Sequence, residues 1–67
     1  MTKAELSADL RRNGGGSGFI TRRQLADYFG VSEPRVVDKY LEGLEKVSGK
    51  YYFVQDVSAS ILKFKGQ

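Results

Sequence analysis

The run Asn13-Gly14-Gly15-Gly16-Ser17-Gly18 constrains this chain more than any other feature. Glycine lacks a Cβ and loses the most backbone freedom on ordering, so neither a helix nor a strand continues through such a run. It splits the 67 residues into a short leader, a connection and a body of fewer than 50 residues. A folded chain this small buries only roughly 60% of the surface its unfolded form exposes. Neither cysteine nor histidine is present. Disulfides and thiolate metal sites are therefore impossible, and the usual zinc ligand and commonest general base are missing. One small domain without a cofactor is expected.

A phosphate loop would set its glycines between a hydrophobic strand and a helix opening with Gly-Lys-Ser/Thr. Here Phe19 and Ile20 follow Gly18, so a nucleotide site is not expected. The segment reads as a hinge over residues 14–18. It joins an N-terminal helix within residues 1–13 to a body over residues 19–65. In the leader, Thr2-Lys3-Ala4-Glu5 fits a capping box, and Leu6 and Leu10 stand four apart, which predicts a helix over about residues 3–12.

Two further helices follow in close succession. Thr21-Arg22-Arg23-Gln24 is a second capping box, with Ile20 before the cap positioned to staple onto Leu25. Leu25, Ala26 and Phe29 mark a buried face, and Gly30 suits a left-handed C-cap. Ser32 is the next expected N-cap, with Pro34 in the first turn. Val31 and Val36 form a staple, and Val36, Val37, Tyr40, Leu41 and Leu44 form a helical-period apolar face ahead of the loop around Gly43. Two helices joined by a short turn centred on glycine make a helix-turn-helix. Then Glu45-Lys46-Val47 and Lys50-Tyr51-Tyr52-Phe53-Val54 flank Ser48-Gly49, a pattern predicting a β-hairpin. Tyr51 and Tyr52 should point to opposite faces, one inward and one toward solvent. Asp56 is the expected cap of a last helix carrying Val57, Ile61 and Phe64 on one face. The fold class expected is mainly α with a small β-hairpin, arranged as a winged helix-turn-helix.

The stretch from Ile20 to Leu62 resembles the excisionase/MerR-like winged helix family. The likeness rests on Thr21, Leu25, Ala26, Phe29, Gly30, Val31 and Ser32 in the helical motif, and on Gly49, Lys50, Tyr51 and Phe53 in the wing. It covers about two thirds of the chain. The resemblance implies a small DNA-binding accessory protein of a phage or mobile element, without catalytic activity. Such proteins bind and bend DNA and help a recombinase choose its direction; a transcriptional repressor, or the DNA-recognising part of phage packaging machinery, would carry the same motif.

In a helix-turn-helix the second helix enters the major groove. Its polar residues Ser32, Glu33, Arg35, Asp38 and Lys39 are the candidate base contacts. Arg35 suits guanine, and Glu33 or Asp38 could accept from cytosine. Thr21, Arg22, Arg23, Lys50 and Tyr51 are the candidate phosphate contacts. Each has a plainer counterpart: Arg22 and Arg23 as solvated first-turn residues, and ion pairing of Arg35 with Asp38 or Lys39 with Glu42.

Charge supports a polyanionic partner only in part. Eleven basic and eight acidic residues give a net charge of +3, but residues 19–44 carry four of each sign. That near-neutral motif keeps open a second reading, a protein-docking module using the acidic face of the second helix. A small module covers few base pairs, so homodimerisation or cooperative binding is expected with the DNA reading. No apolar run approaches the ~20 residues of a membrane span, which gives a cytoplasmic, soluble expectation.

Overall fold

The computed structural model describes residues 2–65. Helix α1 (Lys3–Asn13) leads into strand β1 (Phe19–Thr21) and helix α2 (Arg22–Phe29). A 3-10 turn (Pro34–Val37) runs directly into the short helix α3 (Asp38–Leu41), followed by strand β2 (Tyr51–Phe53) and helix α4 (Val54–Lys65). The fold is mainly helical with one small two-stranded antiparallel sheet. Among the described residues no helix is long and apolar enough to cross a membrane.

Both capping boxes form. The Thr2 hydroxyl accepts from the Glu5 N–H at 3.1 Å, and the Glu5 carboxylate accepts from the Thr2 N–H at 2.9 Å. Those bonds favour the charged carboxylate and hold the Glu5 pKa below its usual value. Thr21 and Gln24 repeat the arrangement at α2, and Gly30 closes that helix with φ 73°. A side chain there would meet the steric penalty of left-handed backbone.

One core holds the helices together. From α1 it takes Leu6 and Leu10, from α2 Leu25 and Ala26, and from the later elements Val37, Leu41, Val54 and Val57. The glycine segment, read from sequence as a hinge, forms a turn that brings α1 back onto this core. The Gly14 N–H donates to the Leu10 carbonyl at 2.9 Å, and the Asn13 side chain donates to the Gln24 carbonyl at 2.8 Å. Across the seam between α1 and α4, the Ser7 hydroxyl donates to that of Ser58, which in turn donates to the Val54 carbonyl at 2.7 Å. Ser58 is thereby fully buried with its polar atom satisfied.

Several expectations need correction. Phe19–Thr21, expected only to precede a helix, is a strand, and it supplies the partner of β2: Ile20 faces Tyr52 and Phe19 faces Phe53. The expected first hairpin arm, Glu45-Lys46-Val47, contributes only the single bridge Val47 to Tyr51. Ser48 and Gly49 do form the tight turn, with φ 54° and 77°. Pairing with β1 wins because it buries Ile20 against Tyr52, whereas Glu45 and Lys46 have nothing apolar to bury.

The second motif helix is shorter and tighter than expected. Ser32 does not cap it; Glu33 occupies the cap position without a side-chain bond, and the first four residues are 3-10. Pro34 removes an N–H and the β-branched pair Val36-Val37 crowds the turn, both of which disfavour regular α-helix. The helix ends at Leu41, before Gly43 at φ 82°, so Leu44 lies outside it. Phe29 and Val36, both expected in the core, are 38% and 51% exposed. Asp56 is not a cap but a first-turn residue, because α4 already starts at Val54, whose N–H donates to the Gly18 carbonyl at 3.0 Å. The tyrosine alternation holds: Tyr52 is buried and Tyr51 is half-buried.

Candidate nucleic-acid interface

The β1–β2 pairing fixes the start of α2, the body of α3 and the approach to the Val47–Tyr51 turn around one open groove. Its volume is about 630 Å3, and Leu41 and Tyr52, both largely buried, line it between charged residues. Arg22 comes from α2, Asp38 and Lys39 from α3, Glu42 from just past α3, and Lys46 from the segment before the turn. Three cations and two carboxylates thus meet from three parts of the chain. The Lys46 ammonium lies 5.8 Å from the centre of the Tyr52 ring, so the ring face gives it a weak electrostatic anchor.

Of these charges, Arg22 and Asp38 form an ion pair. The Arg22 Nε donates to Asp38 Oδ1 at 2.6 Å and its Nη2 to Asp38 Oδ2 at 2.9 Å, a two-pronged pair bridging α2 and α3. That hydrogen bonding holds the Asp38 carboxyl below the usual carboxylate range. A lowered native pKa means the pairing supports the fold above the ordinary carboxylate value of about 3.9 and fades as pH falls below it. An NMR pH titration of the Asp38 carboxyl should therefore show a midpoint below ~3.9 in the wild-type protein and one closer to it in Arg22→Gln. An unchanged midpoint would mean the pair is open in solution.

The remaining sequence candidates distribute as follows. The Thr21 hydroxyl is engaged by the Gln24 N–H at 3.1 Å, so its first role is to cap α2. Arg23 is exposed and has no ion-pair partner among the described residues. Arg35 pairs with Glu33 at 2.9 Å, not with Asp38. Lys39 lies 5.1 Å from the centre of the Tyr40 ring, and Lys50 stands 5.2 Å from that of Tyr51. Ser32, Glu33, Arg35, Arg23 and Lys50 are not among the residues lining the groove. Of the ten candidates, the groove brings together Arg22, Asp38 and Lys39.

Lys46, Glu42 and Tyr52 line the groove without being marked as site residues by the sequence pattern. The signal for Lys46 was its place directly after the helical motif, in the approach to the wing. The acidic face expected on the second helix is partly neutralised, since Asp38 and Glu33 each carry an arginine. Among the described residues no group of three or more acidic side chains is placed to hold a metal ion. Comparison of the chain with known protein families, with characterised proteins and with solved structures gives no match.

Proposed function

We propose that this protein binds double-stranded DNA as a small winged helix-turn-helix module, with α2 and the 3-10 turn plus α3 as the paired helices and the Val47–Tyr51 turn as the wing. The observation that carries the reading is the convergence of Arg22, Lys39 and Lys46 on one groove between the second helix and the wing. The element order β1, α2, α3, turn, β2 supports this reading, with the single bridge Val47–Tyr51 in place of a full hairpin. Together with the likeness to excisionase/MerR-like proteins, it favours an accessory factor of a phage or mobile element, acting in recombination or transcription regulation beside another DNA-bound protein. No cofactor or chemical step is needed.

In this mechanism the short second helix lies against the major groove, which is wide enough to admit it. Lys39 and Lys46 neutralise phosphates at once, releasing counterions. Arg22 must exchange Asp38 for a phosphate, and Arg35 must release Glu33 before its fork can read guanine. Both exchanges are open to solvent, because these pairs are exposed and exposed ion pairs hold weakly. Asp38 thus restrains DNA binding. Asp38→Asn frees Arg22 and removes a negative charge, and should tighten binding to random duplex at about 50 mM salt by roughly three- to tenfold. Fluorescence anisotropy measures this. Absence of wild-type binding at that salt, with the protein folded, would end the DNA reading.

One observation favours the protein-docking alternative. The rings of Tyr28, Phe29, Tyr40 and Phe64 run in continuous contact across α2, α3 and α4, with centroids 5.3 to 5.6 Å apart. Phe29 and Phe64 are 38% and 42% exposed. An exposed aromatic run of this kind suits a protein contact.

A further inference from the structure

Alternation along paired strands gives the small sheet two unlike faces. On one, Ile20 and Tyr52 sit opposite each other and are buried. The register places Phe19 opposite Phe53 and Thr21 opposite Tyr51 on the other. There the Phe19 ring lies 5.0 Å from that of Phe53 and 6.3 Å from that of Tyr51, centre to centre. Phe53 is 39% exposed, while Phe19 and Tyr51 are half-buried. Cross-strand contact between rings steadies a two-stranded sheet. It leaves unexplained why three of the four side chains on a solvent-facing surface are aromatic.

Charge narrows what such a surface suits. None of its four side chains is acidic, and Lys50 holds its ammonium 5.2 Å from the centre of the Tyr51 ring at one end. The other exposed aromatic run is different. Beside Phe64 it borders a groove lined by Lys39 and Lys63 but also by Glu42 and Asp56, so its cations are balanced by carboxylates. A ring cluster with a cation and no carboxylate matches an unpaired base stacked on an aromatic face, with its phosphate near the lysine.

We infer that the outer face of the β1–β2 sheet, formed by Phe19, Tyr51 and Phe53 with Lys50 at its end, is a stacking site for unpaired nucleobases of a single-stranded nucleic acid. The site lies outside the groove that carries the duplex reading and does not rest on it, though it shares Lys50 and Tyr51 with the turn taken as the wing. Bases stack by their π-faces irrespective of sequence, so the site should be tolerant of sequence. The strand that supplies the bases can be DNA or RNA, since the sugar is not what the rings contact.

The test uses the full chain with labelled oligothymidylate and oligouridylate of about 12 nucleotides, and an abasic deoxyribose-phosphate strand of the same length. Stacking predicts that at least one base-bearing strand binds about tenfold or more tightly than the abasic strand, and the tighter of the two names the source. Quenching of tyrosine fluorescence should accompany it. Tyr51→Leu and Phe53→Leu keep an apolar side chain and should each weaken that binding roughly 5- to 100-fold, with circular dichroism confirming the fold. Equal affinity for the abasic strand, or no single-strand binding, would overturn the inference whatever the variants do. A duplex titration in parallel keeps the two readings apart. Duplex binding without base preference ends this inference alone, and base preference without duplex binding ends the groove reading alone.

Discussion

Leu10→Ala should remove about 2–5 kcal/mol of stability, which is a large fraction of what a chain this small possesses. Leu10 is fully buried although it and Leu6 lie on the far side of four glycines from the other core residues. Truncating Leu10 leaves a cavity between α1 and its neighbours, and a short isolated helix has no stability of its own in water to compensate. Urea unfolding followed by circular dichroism should show one cooperative transition, shifted well below the wild-type midpoint. If α1 were instead an arm on a flexible tether, the transition of the remaining protein would stay in place. The experiment therefore decides whether the glycine segment closes one core or separates two pieces.

Gly14→Ala should cost about 1–3 kcal/mol for a different reason. Gly14 has φ −90°, which alanine adopts freely, so backbone strain is not the cause. A Cβ at that position would stand 2.8 Å from the Phe19 carbonyl oxygen, a backbone atom that cannot swing aside. Either α1 or β1 must move, and β1 carries the sheet. In a domain of this size the loss corresponds to a melting temperature lower by roughly 4–8 °C per kcal/mol. Gly18→Ala is the control from the same segment. Its added Cβ would meet nothing within 4 Å, and restricting the unfolded chain should leave stability unchanged or raised by up to about 1 kcal/mol. Equal losses at both positions would mean that the turn is disturbed by any side chain, not by the contact with Phe19.

Local chemistry was the part of this fold that sequence disclosed. The capping boxes at Thr2 and Thr21 and the C-cap at Gly30 are each set within a few residues, so their signals survive in the linear chain. Strand β1 was hidden because it is three residues long and ends on the very threonine that caps α2. Its partner lies some thirty residues later, and only the burial of Ile20 against Tyr52 selects it. Periodicity also does not distinguish a 3-10 turn from an α-helix, so the apolar spacing predicts a longer second motif helix than the one that forms. Phe29 and Val36 fit an apolar period, but a period names a face without saying what covers it.

The candidate site shows the same division. Residue type alone marks Arg22 and Asp38 as candidates, yet their mutual pairing spans sixteen positions and has no sequence signature. Helical spacing offers Asp38 as a partner for Arg35; the non-helical residues before Pro34 bring Glu33 to it instead. Lys46 enters the groove only because β2 pairs with β1 and sets the approach to the wing beside α3.

The measurement that bears most directly on the central claim is the salt dependence of duplex binding. Anisotropy of a labelled random duplex, titrated between about 50 and 200 mM salt, should give affinity falling steeply with salt on a log–log plot. Lys39→Ala and Lys46→Ala should each make that slope shallower by about 0.9, while Lys3→Ala, away from the groove, leaves it unchanged. Equal slopes for all four proteins, or no binding at the lowest salt by a folded chain, would contradict the assignment of this groove to DNA.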